Sequence, residues 1–573
     1  MHLRINPWAT GAVVVGLMLA LPVVVVFGSL AVPAGDVWQH LAGTVLSDYL
    51  FNSLVLVLGV GAGTLLIGVG TAWLVTLCRF PGRRWFEWAL LLPLAMPAYI
   101  IAYTYTGLLD FSGPLQSGLR AMTGWGYGDY LFPEVRSLGG AVLMLALVLY
   151  PYVYLLARAA FLEQSVAVME VSRSLGCGSW CSFFRVALPM ARPSIVAGLS
   201  LALMETLADY GTVQYFGVPT FTTGIFRTWF GLGEATAAAQ LSAMLLGLVF
   251  LLVILERMSR RRARFHHSGN TMARPLPAYR LSGSMSLLAF LACLLPLMLG
   301  FLVPAGQLLA WAWQTAAEMI DADFWRLTWH SLALAGGSAL LALLLAIFLG
   351  YGHRLAPNWL VISAVRMAGM GYAVPGTVIA IGILLPFAWF DNLVDSWARD
   401  YLGISTGLLL SGTLLALVSG YLVRFLAVSL QTVEAGLGRI RPSMDDAARS
   451  LGMRPGEVLR RVHLPIMRSS LFTALLLVFV DVMKELPATL VLRPFDFNTL
   501  AVRAFELASD ERLADSSTAA LSIVLAGLLP VILLSRTIAS SRRSGDDDFR
   551  TCVETAKDDN EAPVLLRESV AKA

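Results

Sequence analysis

Twelve apolar runs, each long enough to cross a lipid bilayer, leave this chain of 573 residues little choice of fold. A helix that crosses roughly 30 Å of hydrocarbon needs about 20 apolar residues. Six such runs lie near residues 11–32, 52–78, 86–108, 137–158, 194–216 and 236–255, and six more near 284–304, 330–350, 361–387, 406–427, 471–492 and 516–535. The first is too long and too continuous with the rest for a cleaved leader, and reads as a retained span. Charged residues make up only 14% of the chain, against about 25% in soluble globular proteins. That excludes an ordinary cytosolic enzyme and a disordered or nucleic-acid-coating chain. The net charge of +4 is too small to imply a polyanionic partner, and the five Cys form no disulfide framework or zinc pattern. An all-α polytopic membrane protein is expected.

Arginine placement orients the spans, because basic loops stay cytoplasmic. Arg79, Arg83 and Arg84 crowd the loop after the second span; Arg257, Arg260, Arg261, Arg262 and Arg264 follow the sixth; Arg536, Arg542 and Arg543 follow the twelfth. Loops of opposite parity carry Asp36 and Asp48, then Glu318, Asp321 and Asp323, then Asp391, Asp395 and Asp400. Both termini are therefore expected in the cytoplasm.

The two halves repeat each other. Asn52-Ser53-Leu54 returns as His330-Ser331-Leu332 and Ala95-Met96-Pro97 as Ala373-Val374-Pro375, both 278 positions later. Arg173-Ser174-Leu175-Gly176 returns as Arg449-Ser450-Leu451-Gly452, Leu188-Pro189 as Leu464-Pro465, and Phe221 and Thr223 as Phe497 and Thr499, at an offset of 276. Such a sustained register marks a duplication. Six spans per half is an even number, so both copies enter from the same side and are related by an axis along the membrane normal. The units expected are a first repeat over 1–265, a cytoplasmic linker over 266–283, a second repeat over 284–537 and a flexible cytoplasmic tail over 538–573.

Between its fourth and fifth spans each half carries a matched cytoplasmic segment, 163–190 and 439–466. Each has an acidic residue (Glu170, Asp446), a Gly six positions on (Gly176, Gly452), and Leu-Pro twelve positions beyond that Gly (Leu188-Pro189, Leu464-Pro465). The pattern suggests a short amphipathic helix, a Gly-permitted turn and a second helix ended by Pro before the next span. Such a pair could seat in grooves on a partner or simply lie on the membrane interface.

These segments resemble the EAA loops of ATP-binding-cassette importer permeases. The second is close to the family pattern, with Asp446 where Glu is usual; the first has Val171 and Ser172 in place of two Ala. The stretches Asp209 to Gly217 and Met483 to Thr489, and the loop Arg79-Phe80-Pro81-Gly82-Arg83-Arg84, are similar to fused double permeases of ferric-iron uptake. The resemblance implies a type I importer permease fold in a bacterial inner membrane. It also implies that Glu170, Arg173, Gly176, Leu188 and Pro189, with Asp446, Arg449, Gly452, Leu464 and Pro465, dock two copies of a separate ATPase subunit. A periplasmic binding protein would deliver the ferric iron. Fused thiamine, phosphonate and polyamine permeases share the layout. The rival class, a twelve-span secondary transporter, gives no reason for two matched docking segments.

No phosphate-binding loop is present: none of the three Lys, Lys484, Lys557 and Lys572, follows a Gly, as such a loop requires. ATP is therefore expected to be used by a partner chain, with no cofactor on this one. The seven His are dispersed, and Cys177 and Cys181 lack further ligands for a four-ligand zinc site. No catalytic constellation appears.

Five ionisable residues fall in the fifth spans of the two halves together: Glu205 and Asp209 in the first, then Asp481, Lys484 and Glu485 in the second. The acids match at the 276 offset, and each pair is spaced i,i+4, on one helix face. Counted from residue 194 at about 1.5 Å per residue, Glu205 falls near mid-membrane and Asp209 in the outer half. A charge at the bilayer centre costs roughly 2.5–3.5 kcal/mol on insertion scales, so these groups must face protein or water. They would line a translocation pathway between the halves. The alternatives are an interhelical ion pair, with Lys484 neutralising a neighbour, or a helix that stops earlier.

Overall fold

A computed structural model describes residues 7–33, 35–126, 129–162, 172, 174–261 and 279–532. The first half comprises α1 (Pro7–Gly28), α2 (Leu46–Leu77), α3 (Arg83–Ala89), α4 (Ala98–Leu109), α5 (Leu138–Leu162), α6 (Leu188–Ala208) and α7 (Ala235–Arg261). The second comprises α8 (Gly283–Leu297), α9 (Val303–Met319), α10 (Ala322–Leu355), α11 (Trp359–Ala368), α12 (Gly376–Leu402), α13 (Leu414–Gly438), α14 (Pro442–Ser450), α15 (Leu464–Met483) and α16 (Leu513–Ile532). Among the described residues, eleven helices are long and apolar enough to cross a membrane, and a bent pair makes twelve. The span count expected from the apolar runs therefore holds. The tail over 538–573 and residues 266–278 of the expected linker lie outside the described residues.

Proline decides where these spans break, and it does so in two ways. At Met96-Pro97 the third span, expected unbroken over 86–108, turns by 92° between Arg83–Ala95 and Ala98–Thr123. The residue before a Pro is pushed out of the helical region. Met96 is accordingly extended, at φ −99° and ψ 110°, and its counterpart Val374 is too, at φ −82° and ψ 125°. The repeated Ala-x-Pro thus marks an interruption in both halves rather than continuous spans.

Leu188-Pro189 and Leu464-Pro465 do the opposite. They were expected to end the docking segments, yet the helices run through them, over Trp180–Ala208 and Pro455–Met483. A π turn precedes each Pro, at Phe183–Ala187 and Leu459–His463, and a third, Met298–Leu302, precedes Pro304. Pro has no N–H and its ring collides with the carbonyl four residues back; the wider i→i+5 turn relieves both problems.

The fifth span of each half also stops sooner than its apolar run. It ends at Ala208 in the first half and Met483 in the second. The Asp209 carboxylate instead accepts from Thr212 Oγ1 at 3.0 Å and Val213 N at 3.1 Å. Short polar side chains that bond nearby backbone compete with the helix in this way. The i,i+4 pairs therefore do not share one helix face: Glu205 and Asp481 sit on the helix, Asp209 and Glu485 just past its end.

The halves are interlocked by their first spans. α1 packs on α10, α11 and α12 of the second half: a Cβ on Gly16 would meet Ala364 Cβ at 2.6 Å, and one on Gly382 would meet Pro22 O at 2.5 Å. Such close backbone approach is how membrane helices gain packing where lipid offers no hydrophobic drive. Reciprocally, α8 and α9 lie on the first half, where Tyr105 OH donates to Leu299 O at 2.7 Å and Phe290 meets Phe86 edge-on at 5.3 Å. A two-residue parallel pairing, Cys78-Arg79 with Tyr279-Arg280, ties the basic loop after the second span to the residues just before the second repeat.

Candidate functional site

A cavity of about 110 Å³ lies where the two interrupted spans and the two early-ending spans converge. Glu205, Asp209, Asp481, Lys484 and Glu485 all line it, so the five ionisable residues singled out from sequence form one cluster. Matching acids of the two halves line it, Glu205 with Asp481 and Asp209 with Glu485, and Met96-Pro97 reaches it from the break in the first half. Tyr99, Tyr152, Tyr210 and Tyr372 add phenols to the wall.

The residue that organises this cluster is Arg424, from the middle of α13. Its Nη1 donates to Glu485 Oε1 at 2.8 Å, and its Nη2 lies 3.7 Å from Glu205 Oε2. It therefore ties an acid of one half to an acid of the other. The Ala488 amide adds a bond to Glu485 Oε1 at 3.1 Å, and Lys484 Nζ sits 2.8 Å from Asp481 Oδ1. Tyr152 and Tyr372 bring their hydroxyls to 3.5 Å across the interface. A Cβ on Gly376, the first residue of α12, would lie 2.5 Å from Arg424 Nη1, so only Gly lets that helix end approach the pair.

The charge is lopsided. Both cations come from the second half; at the same offset the first half has Val148 for Arg424 and Ala208 for Lys484. Four carboxylates against two cations leave an excess of two negative charges when all are ionised. Arg424 was not among the residues expected from sequence. An Arg in the centre of an apolar run, YLVRFLAVSL, was the available signal. Among the described residues, no three His, Cys, Asp or Glu side chains converge closely enough to hold a metal ion.

The segments expected to dock a partner are described in part. Glu170 and Arg173 lie outside the described residues. Gly176 and Gly452 adopt matching left-handed conformations, φ 80° and 79°, which an L side chain rarely takes. Before each turn an exposed Leu, Leu175 or Leu451, points outward. Asp446 and Arg449 are exposed and 3.6 Å apart. Leu188, Pro189, Leu464 and Pro465 belong to the through-running helices and not to the turns. Cys177 and Cys181 come together just after the first turn, their Cα atoms 5.3 Å apart.

Comparison with known proteins gives the same architecture twice over. The sequence profile described as "Binding-protein-dependent transport system inner membrane component" matches residues 64–265 and again 342–543. The Fe(3+)-transport system permease protein FbpB 2 of Haemophilus influenzae is 27% identical over 86% of this chain and 90% of its own length. The molybdenum transport system permease protein ModB of Escherichia coli is 28% identical over 38% of this chain and 99% of its own. The sulfate transport system permease protein CysT of Escherichia coli is 29% identical over 26% of this chain and 50% of its own.

Proposed function

The chain belongs to the family of binding-protein-dependent transport system inner membrane components, and from that premise we propose that it carries ferric iron through the cavity between its halves. It is a fused double permease of an importer of this class, a transport subunit and not an enzyme. In the proposed cycle a loaded binding protein docks on the acidic loops. Two copies of an ATPase subunit seat on 163–190 and 439–466 from the cytoplasm, where both termini lie. Their closure turns the halves against each other and exposes the cavity alternately to each side.

The observation that carries the cargo assignment is the cavity wall. It offers carboxylates and phenols, with no thiol or imidazole among the described lining residues, a donor set suited to hard cations. An excess of carboxylates favours a cation in transit. In this reading firm binding of the metal is left to the delivering protein. The iron permease relative supports this reading.

A second reading is an oxyanion, since relatives move molybdenum and sulfate and Arg424 and Lys484 could face one. The test is uptake of labelled ferric iron and labelled molybdate in cells lacking the chain. Cells are complemented with wild type or with Gly176→Pro, Gly452→Pro at matched membrane abundance. Iron uptake restored by wild type alone supports cargo and docking together. Molybdate uptake in its place transfers the site to the oxyanion reading, and uptake through the double mutant removes the docking role.

A further inference from the structure

One residue before the docking acid, Asp445 faces the opposite way. Asp446 is exposed, whereas Asp445 is buried against the ends of the spans. Its Oδ2 accepts from Arg354 Nε at 2.8 Å and its Oδ1 lies 2.6 Å from His463 Nε2. Arg354, at the end of α10, also donates Nη1 to Leu437 O at 2.6 Å and Nη2 to Ile440 O at 2.9 Å, the last carbonyls around α13. One turn earlier, Tyr351 OH donates to Pro455 O at 2.6 Å, and its ring meets the His463 ring edge-on at 5.4 Å. A single carboxylate thus joins α14 to α10, to the end of α13 and to the helix that becomes α15.

The first half carries other residues at these positions. At the repeat offsets Arg354 corresponds to Thr76, Tyr351 to Trp73, Asp445 to Met169 and His463 to Ala187. Trp73 packs on Phe161 and Phe183 instead, and the Thr76 hydroxyl turns back to Ala72 O of its own helix. Burial pushes the Asp445 carboxyl up, but the bonds from Arg354 and His463 outweigh it and hold it below the usual carboxylate range. The knot is therefore charged at neutral pH, and charge-assisted bonds are the strong ones.

We propose that Asp445 is a positioning residue that clamps the second docking helix to the spans, so that partner movement at that helix enters the bundle through this carboxylate. The lever part rests on the reading of 439–466 as an ATPase-docking loop; the clamp part does not. Stiffness is what distinguishes a lever from a tether. α14, held at its inner face by a bidentate carboxylate, moves α10, α13 and α15 as it moves.

The test begins with hydrogen exchange on the whole chain in nanodiscs, without partners. Asp445→Asn should speed exchange of the 442–453 amides about tenfold, equivalent to about 1.4 kcal/mol, and leave α5 and α6 unchanged. Asp445→Glu should restore part of the protection. Unchanged exchange in Asp445→Asn overturns the clamp whether or not any partner exists. With ATPase and binding protein in proteoliposomes, Asp445→Asn should lower labelled ferric iron carried per ATP at least fivefold while the ATPase still co-purifies. Thr76→Ser should leave that ratio alone. Faster exchange with an unaltered ratio overturns the lever. A wild-type chain that binds no ATPase sinks the docking reading and with it the lever, while the exchange result still decides the clamp.

Discussion

Removing the Arg424 guanidinium leaves Glu485 buried beside an empty place, and a buried carboxylate stripped of its partner costs about 3–5 kcal/mol. Arg424→Gln should therefore lower the thermal midpoint of the purified chain by several degrees. The double variant Arg424→Gln, Glu485→Gln should regain most of that loss, because it removes both charges together. Transport should stay low in both, since the Glu205 to Arg424 contact across the halves is gone in each. A double variant no more stable than the single one would mean that the pair does not act as a pair. At Asp445 the sign of the pH response is fixed by its bonds. A carboxyl held below its ordinary value stabilises the fold fully above the unfolded-chain pKa of about 3.9, and its contribution disappears as pH falls through the lower folded value. Protection of the 442–453 amides, corrected for intrinsic exchange, should thus stay level from about pH 8 to about pH 5. A fall within that window would place the control on another group.

At the scale of elements, the two kinds of Pro make different demands on their surroundings. Pro97 and Pro375 each stand at an interruption between two helical runs, while Pro189 and Pro465 sit inside continuous helices behind a π turn. Pro465→Ala should consequently be mild, with helicity by circular dichroism unchanged, whereas Gly452→Pro should abolish transport because Pro fixes φ near −65° where the turn needs +79°. Gly452→Ala should fall between, at a cost of roughly 1 kcal/mol for the left-handed conformation. Much of this scale was legible in the amino-acid string. The duplication, the twelve spans, the paired turns at Gly176 and Gly452 and the clustering of five ionisable groups follow from spacing and hydrophobicity alone. The fate of each Pro was not, because the local sequence around Pro97 and Pro465 carries the same breaking signal and packing decides between a kink and a passage. Nor was the knot around Asp445, whose partners Arg354 and His463 are 91 and 18 positions away and share no period with it. Arg424 was visible as a charge in an apolar run, but its role depends on Glu205 and Glu485, which only the folded bundle brings to it.

For the molecule as a whole, the exchanged first spans predict that covalent fusion is dispensable for assembly. Residues 1–265 and 266–573 expressed as separate chains should co-purify, because α1 rests on the second half and α8 and α9 on the first. Recovery of either piece alone in a folded state would show that the exchange is not what holds them. Deleting residues 1–31 should destabilise the second half more than the first, as read by exchange in α11 and α12. The same exchange also sets a timetable on the ribosome. Gly16 finds Ala364 and Pro22 finds Gly382 only after some 350 further residues have been made, on the order of 20–70 s at typical translation rates. Pro7–Gly28 can wait that long in lipid, since it carries no charge at all. The charged segments are scheduled differently. Arg424 emerges only 61 residues before Glu485, and Lys484 only 3 after Asp481. The one acid that must wait long for its cation, Glu205, is also the most exposed to the cavity of the residues Arg424 holds, at 24% of its side chain. The order in which the chain is made thus shortens the time for which Arg424, Asp481, Lys484 and Glu485 stand unpaired in hydrocarbon.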